Sequence, residues 1–168
     1  MKEQSKREVI ERYQKRIAKY GLTFDSLGSG KPSHQDIRFH IHRNIGINSG
    51  DKILDIGCGL GDFYTYLRNH GINVDYHGVD LVPELIDEAR KKNPDGLFEI
   101  RDIIEDEFLP NSFDYVVCSQ VMNFKFSHED NYEHAQKMLE LMFKFSGKGV
   151  ACDCLLYTSD AADDSLRV

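Results

Sequence analysis

Tryptophan is absent from this 168-residue chain, proline occurs only four times, and no apolar run approaches the roughly 18 residues that cross a bilayer. The opening Met1-Lys2-Glu3-Gln4-Ser5-Lys6-Arg7-Glu8 has no apolar leader core, so a cytoplasmic protein with no membrane partner is expected. Basic residues are outnumbered by acidic ones, 21 against 28, for a formal charge of −7. Binding along a phosphate backbone needs a basic surface, so this balance argues against a nucleic-acid substrate and leaves only a local basic face open. The four cysteines include no C-x-x-C pair, and Cys152-Asp153-Cys154 has no matching second pair, so no metal site is expected. In His40-Ile41-His42 the two imidazoles stand at i and i+2, which do not share a helix face, and solvated or capping roles are expected for both.

What is present is glycine at regular spacing. Residues 53–62 read Ile-Leu-Asp-Ile-Gly-Cys-Gly-Leu-Gly-Asp, a run short enough for a buried parallel strand that carries Asp55 and leads into Gly57, Gly59 and Gly61. Such glycines let the backbone turn sharply and approach a ligand with no Cβ in the way, which implies a nucleotide-type ligand; purely structural glycine turns are the alternative. A dinucleotide loop reads G-x-G-x-x-G, with pyrophosphate over the following helix N-terminus. Asp62 occupies the third glycine position here, and its carboxylate would repel a pyrophosphate, disfavouring NAD or FAD.

Further elements follow in order. Residues 74–79 form a second strand pattern ending in Asp80, nineteen residues past Gly61, where an acidic side chain at a strand tip can accept both ribose hydroxyls. Leu81-Val82-Pro83-Glu84 then starts a helix with Leu85, Ile86 and Ala89 on one face. Residues 97–100 form a third strand leading into Arg101-Asp102-Ile103, and the turn Pro110-Asn111-Ser112 precedes a fourth at 113–118, followed by Ser119-Gln120-Val121-Met122.

Before the glycine loop, Val9, Ile10, Tyr13, Ile17 and Tyr20 recur at helical steps and Gly21 is placed to end the helix. That helix either covers the sheet or forms a lid with Tyr13 or Tyr20 facing the ligand. After the 28–32 loop, Ser33 and Asp36 signal a helix reaching about Ile45. On it, Arg38 suits either a ligand carboxylate or an exposed salt bridge. A last helix is expected over 128–145 with Ser127 as N-cap, ended by Lys144, Lys148 and the Gly147/Gly149 pair before a fifth strand near Val150. The alternation predicts an α/β fold: a doubly wound, mostly parallel sheet with helices on both faces.

The D-x-G-x-G-x-G segment, with Asp80, Arg101-Asp102-Ile103 and the Phe113-Asp114-Tyr115-Val116 strand, resembles the class I, Rossmann-like S-adenosylmethionine-dependent methyltransferases over about residues 33–151. The resemblance implies that Asp55, Gly57 and Gly59 hold the methionine half of S-adenosylmethionine, Asp80 its ribose, and Asp102 with Ile103 its adenine, while Ser119 and Gln120 flank the methyl group. Cys58 and Leu81 complete the implied cofactor-binding set. For each acid a capping or loop role is the alternative. The Asn-Pro-Pro-Tyr type motif of amino-base methylation is absent after the fourth strand, where Ser119-Gln120-Val121-Met122-Asn123-Phe124 stands, and a small-molecule acceptor is expected. A non-catalytic module binding the cofactor or its demethylated product is the other reading. The expected organisation is a helical cap over 1–46, a cofactor-binding domain over 47–154 that lacks the family's last strands, and a tail over 155–168. That tail turns small and acidic, resembles translated adapter sequence at the end of a gene fragment, and is expected to be non-native.

Overall fold

The computed structural model describes residues 1–153. The expected tail and the end of the expected domain at Cys154 lie outside the described residues. In order, the elements are α1 (Glu3–Tyr20), α2 (Phe24–Leu27), α3 (Pro32–Arg43), β1 (Lys52–Ile56), α4 (Asp62–Asn69), β2 (Asp75–Asp80), α5 (Pro83–Lys92), β3 (Leu97–Ile100), β4 (Phe113–Ser119), α6 (Asn131–Phe145) and β5 (Ser146–Asp153). The strands form one sheet in the order β3-β2-β1-β4-β5, and every pairing is parallel. This is the expected doubly wound α/β arrangement. The order reverses between β1 and β4, so the crevice outside their carboxyl ends is where such a sheet receives ligands.

Alternate residues of each strand feed opposite faces. Ile53 of β1 with Tyr76, Phe98, Tyr115 and Val117 packs under α3, α4 and α5, while Leu54 and Ile56 with Val79, Val116 and Cys118 pack under α6 through Met138, Leu141, Met142 and Phe145. Met138 and Met142 lie on the sheet as their helical spacing predicts, but Phe143, expected on the same face, is exposed and Phe145 is the buried ring. A smaller cluster joins Tyr13, Ile17, Leu22 and Leu27 to Leu60, Val82 and Leu85, docking α1 and α2 on the glycine loop and α5. The two readings of α1 therefore combine, since it covers the sheet end and also walls the cavity described below. Among the described residues, no helix is long and apolar enough to cross a membrane.

Three boundaries differ from the sequence reading. Helix α3 starts at Pro32 after an extended Lys31, so Ser33 lies inside the helix; the fixed φ and missing N–H of proline suit the first helical position. The N-cap of α6 is Asp130, whose Oδ1 accepts from the N–H groups of Tyr132 (2.8 Å) and Glu133 (3.0 Å), and Ser127 precedes the helix. Strand β5 begins at Ser146, and Gly147 and Gly149 fall within it beside an irregular register opposite Phe113 and Tyr115, a place where strand glycines relieve crowding. The short α2 has no periodic signal and was not expected. Asp130→Ala should lower stability by about 1 kcal/mol, whereas Ser127→Ala should change it by less than about 0.5 kcal/mol, as urea midpoints would show.

Candidate active site

The loop after β1 is tied to β2 by its own backbone. The N–H groups of Gly57 and Cys58 both donate to Val79 O, at 2.8 and 3.0 Å, and Gly59 N–H donates to Asp80 Oδ2 at 2.9 Å. Asp80 Oδ1 accepts from Val82 N–H at 3.0 Å, so this one carboxylate joins the glycine loop to the start of α5. Gly57 has φ +72°, and a Cβ there would sit 2.1 Å from Val121 Cγ2 in the turn after β4. Only glycine fits both the left-handed backbone and the space.

Asp55 lies at the end of β1, 4% exposed, and accepts a hydrogen bond from Tyr76 Oη. Burial pushes its carboxyl up to about 7 against the lowering effects of Tyr76 and His42. The Asp80 carboxyl is likewise raised by burial, with the Val82 and Gly59 N–H groups opposing the shift. Past β3, Asp102 is buried: Oδ1 accepts from Ile104 N–H at 3.0 Å, while Oδ2 has no hydrogen-bond donor and lies 3.5 Å from the Met1 ammonium. Ile103 beside it is buried. At the end of β4, Gln120 adopts φ +63°, a strained left-handed conformation for a non-glycine residue at a strand tip that faces the crevice.

All ten residues singled out from the sequence line one cavity of about 260 Å³ at the carboxyl ends of the strands. The tips of β1 and β2 bring Asp55, Gly57, Cys58, Gly59, Asp80 and Leu81; the loop after β3 brings Asp102 and Ile103; β4 brings Ser119 and Gln120. Tyr13 faces this cavity from α1, and burial, with the nearby Asp80 charge, raises its phenol. Tyr20 does not line it: the ring is 40% exposed, with Lys19 and Arg16 lying over it.

A match to the family "Methyltransferase domain" spans residues 53–144, which runs from β1 through almost all of α6. The chain belongs to the class I S-adenosylmethionine-dependent methyltransferases. S-adenosylmethionine is the cofactor of this family. The chain is similar to the Mycobacterium tuberculosis protein named "Putative methyltransferase Rv1506c", 31% identical over 69% of this chain and 71% of that one. It is also similar to the mitochondrial ubiquinone biosynthesis O-methyltransferase of Schizosaccharomyces pombe, 31% identical over 67% of this chain but 39% of that enzyme. Among solved structures, the Haemonchus contortus phosphoethanolamine N-methyltransferase 1 superposes with a TM-score of 0.69 at 16% identity, covering 94% of this chain and 34% of that one. The chain thus spans well under half the length of these last two proteins.

Further residues of this methyltransferase reach the cavity, some of them without a sequence signal. His40 is exposed, its Nε2 3.0 Å from Asn44 Nδ2, but His42 is buried and faces the cavity, which corrects the expectation of solvated or capping roles for both. The i and i+2 spacing does separate their faces, and the face of α3 that carries His42 packs on Phe63 of α4. Arg38 is mostly buried and not the exposed alternative: its Nη2 donates to Ser29 O at 3.2 Å and its Nε lies 3.9 Å from Asp153 Oδ2. Asp62 opens α4 and accepts from Gln35 Nε2 at 3.4 Å, and both line the cavity. The β4–α6 connection adds Phe124 and Phe126, whose aromatic spacing had no strand or helix period to reveal it. Cys58 and Cys118 are buried free thiols, and among the described residues no cluster of three or more His, Cys, Asp or Glu side chains is placed to hold a metal ion.

Proposed function

We propose that this protein transfers the methyl group of S-adenosylmethionine to a small-molecule acceptor. The observation that carries the reading is the convergence of two buried acids, Asp55 and Asp102, and the half-buried Asp80 with the Gly57 backbone on one cavity. The chemistry of this set fits the cofactor. Asp102 Oδ2 is a buried acceptor that faces only the Met1 ammonium, at 3.5 Å and beyond good hydrogen-bond geometry, so it suits an exocyclic amine beside the apolar Ile103. Asp80 keeps lone pairs beyond its two backbone contacts for a ribose diol. Asp55 offers a carboxylate to an ammonium, and Arg38 a guanidinium to a carboxylate, while the absence of a third-position glycine at Asp62 still weighs against a pyrophosphate.

The cofactor supplies a methyl group on a sulfonium, a good leaving group for in-line displacement. The chain's task is then positioning and exclusion of water. α1 covers the cavity with Val9 and Tyr13, and Phe124, Phe126 and Met138 give it an apolar wall beyond Ser119 and Gln120, the place for an acceptor. The fission-yeast relative, by its name an O-methyltransferase of ubiquinone biosynthesis, supports a small-molecule acceptor. The net charge of −7 supports the same class over nucleic acid.

Incubation with methyl-labelled S-adenosylmethionine and a fractionated metabolite extract should release S-adenosylhomocysteine and put label into a low-molecular-weight product. Binding of the cofactor with no label transferred to any fraction would leave a binding module instead.

The Asp55 carboxyl, raised to about 7, makes binding pH-dependent in a defined direction. A carboxyl that must ionise to face the cofactor ammonium releases a proton on binding below pH 7. The dissociation constant for S-adenosylmethionine should rise toward about tenfold per pH unit between pH 7 and 5.5, where the cofactor's own ammonium and carboxylate do not titrate. Calorimetry in buffers of different ionisation enthalpy would count that proton, and Asp55→Asn should remove the slope. For the apoprotein the sign is opposite: stability from neutral Asp55 is fully present below its unfolded value near 4 and is lost as pH rises through 7.

A further inference from the structure

Beside the cavity stands a polar cluster in which His42, which lines the cavity, and Asp153, which lies behind it, are outside the cofactor-binding set. Arg38 and His42 come from α3, Ser119 closes β4 and Asp153 closes β5, the register pairing Ser119 with Asp153. His42 Nε2 lies 3.3 Å from Asp153 Oδ1, and Arg38 Nε lies 3.9 Å from Asp153 Oδ2. His42 is 3% exposed, and Arg38 Nε and Asp153 Oδ1 are buried with these ion-pair contacts as their partners. An imidazole buried against a carboxylate at a cavity wall keeps one ring nitrogen for a ligand group.

We propose that His42 is the general base of the transfer, taking the proton of a hydroxyl acceptor, and that Asp153 positions its ring. The proposal rests on the methyltransferase reading above and specifies its acceptor class. With Nε2–H directed at Asp153, the tautomer leaves the lone pair on Nδ1, the arrangement in which a carboxylate orients an imidazole and supports its charged form. Burial alone would raise the Asp153 carboxyl, but the His42 and Ser119 contacts and the Arg38 charge hold it below the ordinary carboxylate value, so it is an anion at neutral pH. The other charged groups around His42 are Asp55 from β1, Arg38 from its own helix and Asp62 at the head of α4, with the Phe63 ring edge-on at 6.1 Å.

An aromatic amine already carries a free nucleophilic lone pair at neutral pH, and a thiol ionises far more readily than an alcohol or phenol. A hydroxyl is a weak nucleophile until its proton leaves, so it is the acceptor that a buried base serves. The balance is simple. An oxygen lone pair forms the O–CH3 bond, the electron pair of the broken S–CH3 bond stays on sulfur as the sulfonium becomes a thioether, and the hydroxyl proton passes to His42.

The test combines a binding, a spectroscopic and a transfer readout on the full chain. His42→Gln should keep S-adenosylmethionine affinity within threefold by calorimetry, while lowering labelled-methyl transfer to catechol at least 100-fold. His40→Gln, on the exposed face of α3, should change neither. In the wild type, transfer should rise with pH along a single-proton profile, and the His42 ring should show by 15N NMR the tautomer protonated at Nε2. Asp153→Asn should displace the rate profile and mix the tautomers while leaving cofactor affinity unchanged, an effect that lost packing alone would not produce. The proposal is overturned if 1,2-phenylenediamine accepts label and catechol does not, or if His42→Gln transfers as fast as wild type. It is also overturned if His42→Gln weakens cofactor binding more than tenfold, which would make the ring part of the cofactor site. Should neither probe accept label, the NMR tautomer decides: a ring that ignores Asp153→Asn is not a base positioned by that carboxylate. Failure of the wild-type chain to bind S-adenosylmethionine would instead remove the methyltransferase reading itself.

Discussion

Asp80→Ala should weaken S-adenosylmethionine binding by about three orders of magnitude, more than any other single side-chain truncation in the cavity. Both of its oxygens are engaged within the protein, Oδ2 with Gly59 N–H at 2.9 Å and Oδ1 with Val82 N–H at 3.0 Å. Truncation leaves two donors unpaired, at about 1–3 kcal/mol each, and removes two charge-assisted bonds to a ribose diol worth about 1.5–3 kcal/mol each. The part that falls on the complex, about 4 kcal/mol, corresponds to roughly a thousandfold in dissociation constant. The rest destabilises the free protein by releasing the glycine loop from β2. Asp80→Asn retains one carbonyl oxygen for the loop and should bind with an intermediate affinity, while NAD should give no heat with any form. A dissociation constant for Asp80→Ala within tenfold of wild type would show that the ribose is held elsewhere and that Asp80 serves the loop alone.

What was legible in the sequence was the part encoded by local chemistry. Strand β1 is an apolar run that stops at glycine, β2 ends on the acid that the loop spacing anticipates, and β3 and β4 follow turn signals, so the parallel sheet and the tips of its strands could be placed residue by residue. All ten residues read from that pattern do face one cavity. What was not legible depends on contacts between distant segments. His42 looks like one of a pair of surface imidazoles until α3 is seen to pack on α4 and the end of β5. Asp153 lies at a strand end that two glycines had disguised as a helix terminus. Asp130 outcompetes Ser127 as a cap because a carboxylate with two N–H donors at 2.8 and 3.0 Å is a stronger acceptor than a hydroxyl. Tyr13 and Tyr20 are equivalent by period, and only the docking of α1 on Leu60, Val82 and Leu85 turns one inward and leaves the other in solvent.

Gly57→Ala should be the most destabilising single-methyl change in the fold. The added Cβ would stand 2.1 Å from Val121 Cγ2, and the residue holds φ +72°. The left-handed backbone costs a non-glycine residue about 1–2 kcal/mol. Forcing Val121, a stiff β-branched side chain, out of its place adds about 1–3 kcal/mol of overpacking. Together these predict a loss of about 2–5 kcal/mol and a fall in Tm of roughly 5–15 °C for a domain of this size. Two further variants separate the terms. Gly71 has nearly the same φ, +71°, with nothing within 4 Å of its absent Cβ, so Gly71→Ala measures the backbone cost alone. Val121→Ala combined with Gly57→Ala should recover the steric share and leave that backbone cost, giving a coupling energy above about 1 kcal/mol in the double-mutant cycle. Because Val121 follows the strained Gln120 at the mouth of the cavity, the displaced turn should also cost Gly57→Ala its cofactor binding, with partial return in the double variant. Equal melting temperatures for Gly57→Ala and Gly71→Ala would show that the loop and the turn after β4 yield to each other freely, and that the glycine is needed for its backbone angle and not for the close approach.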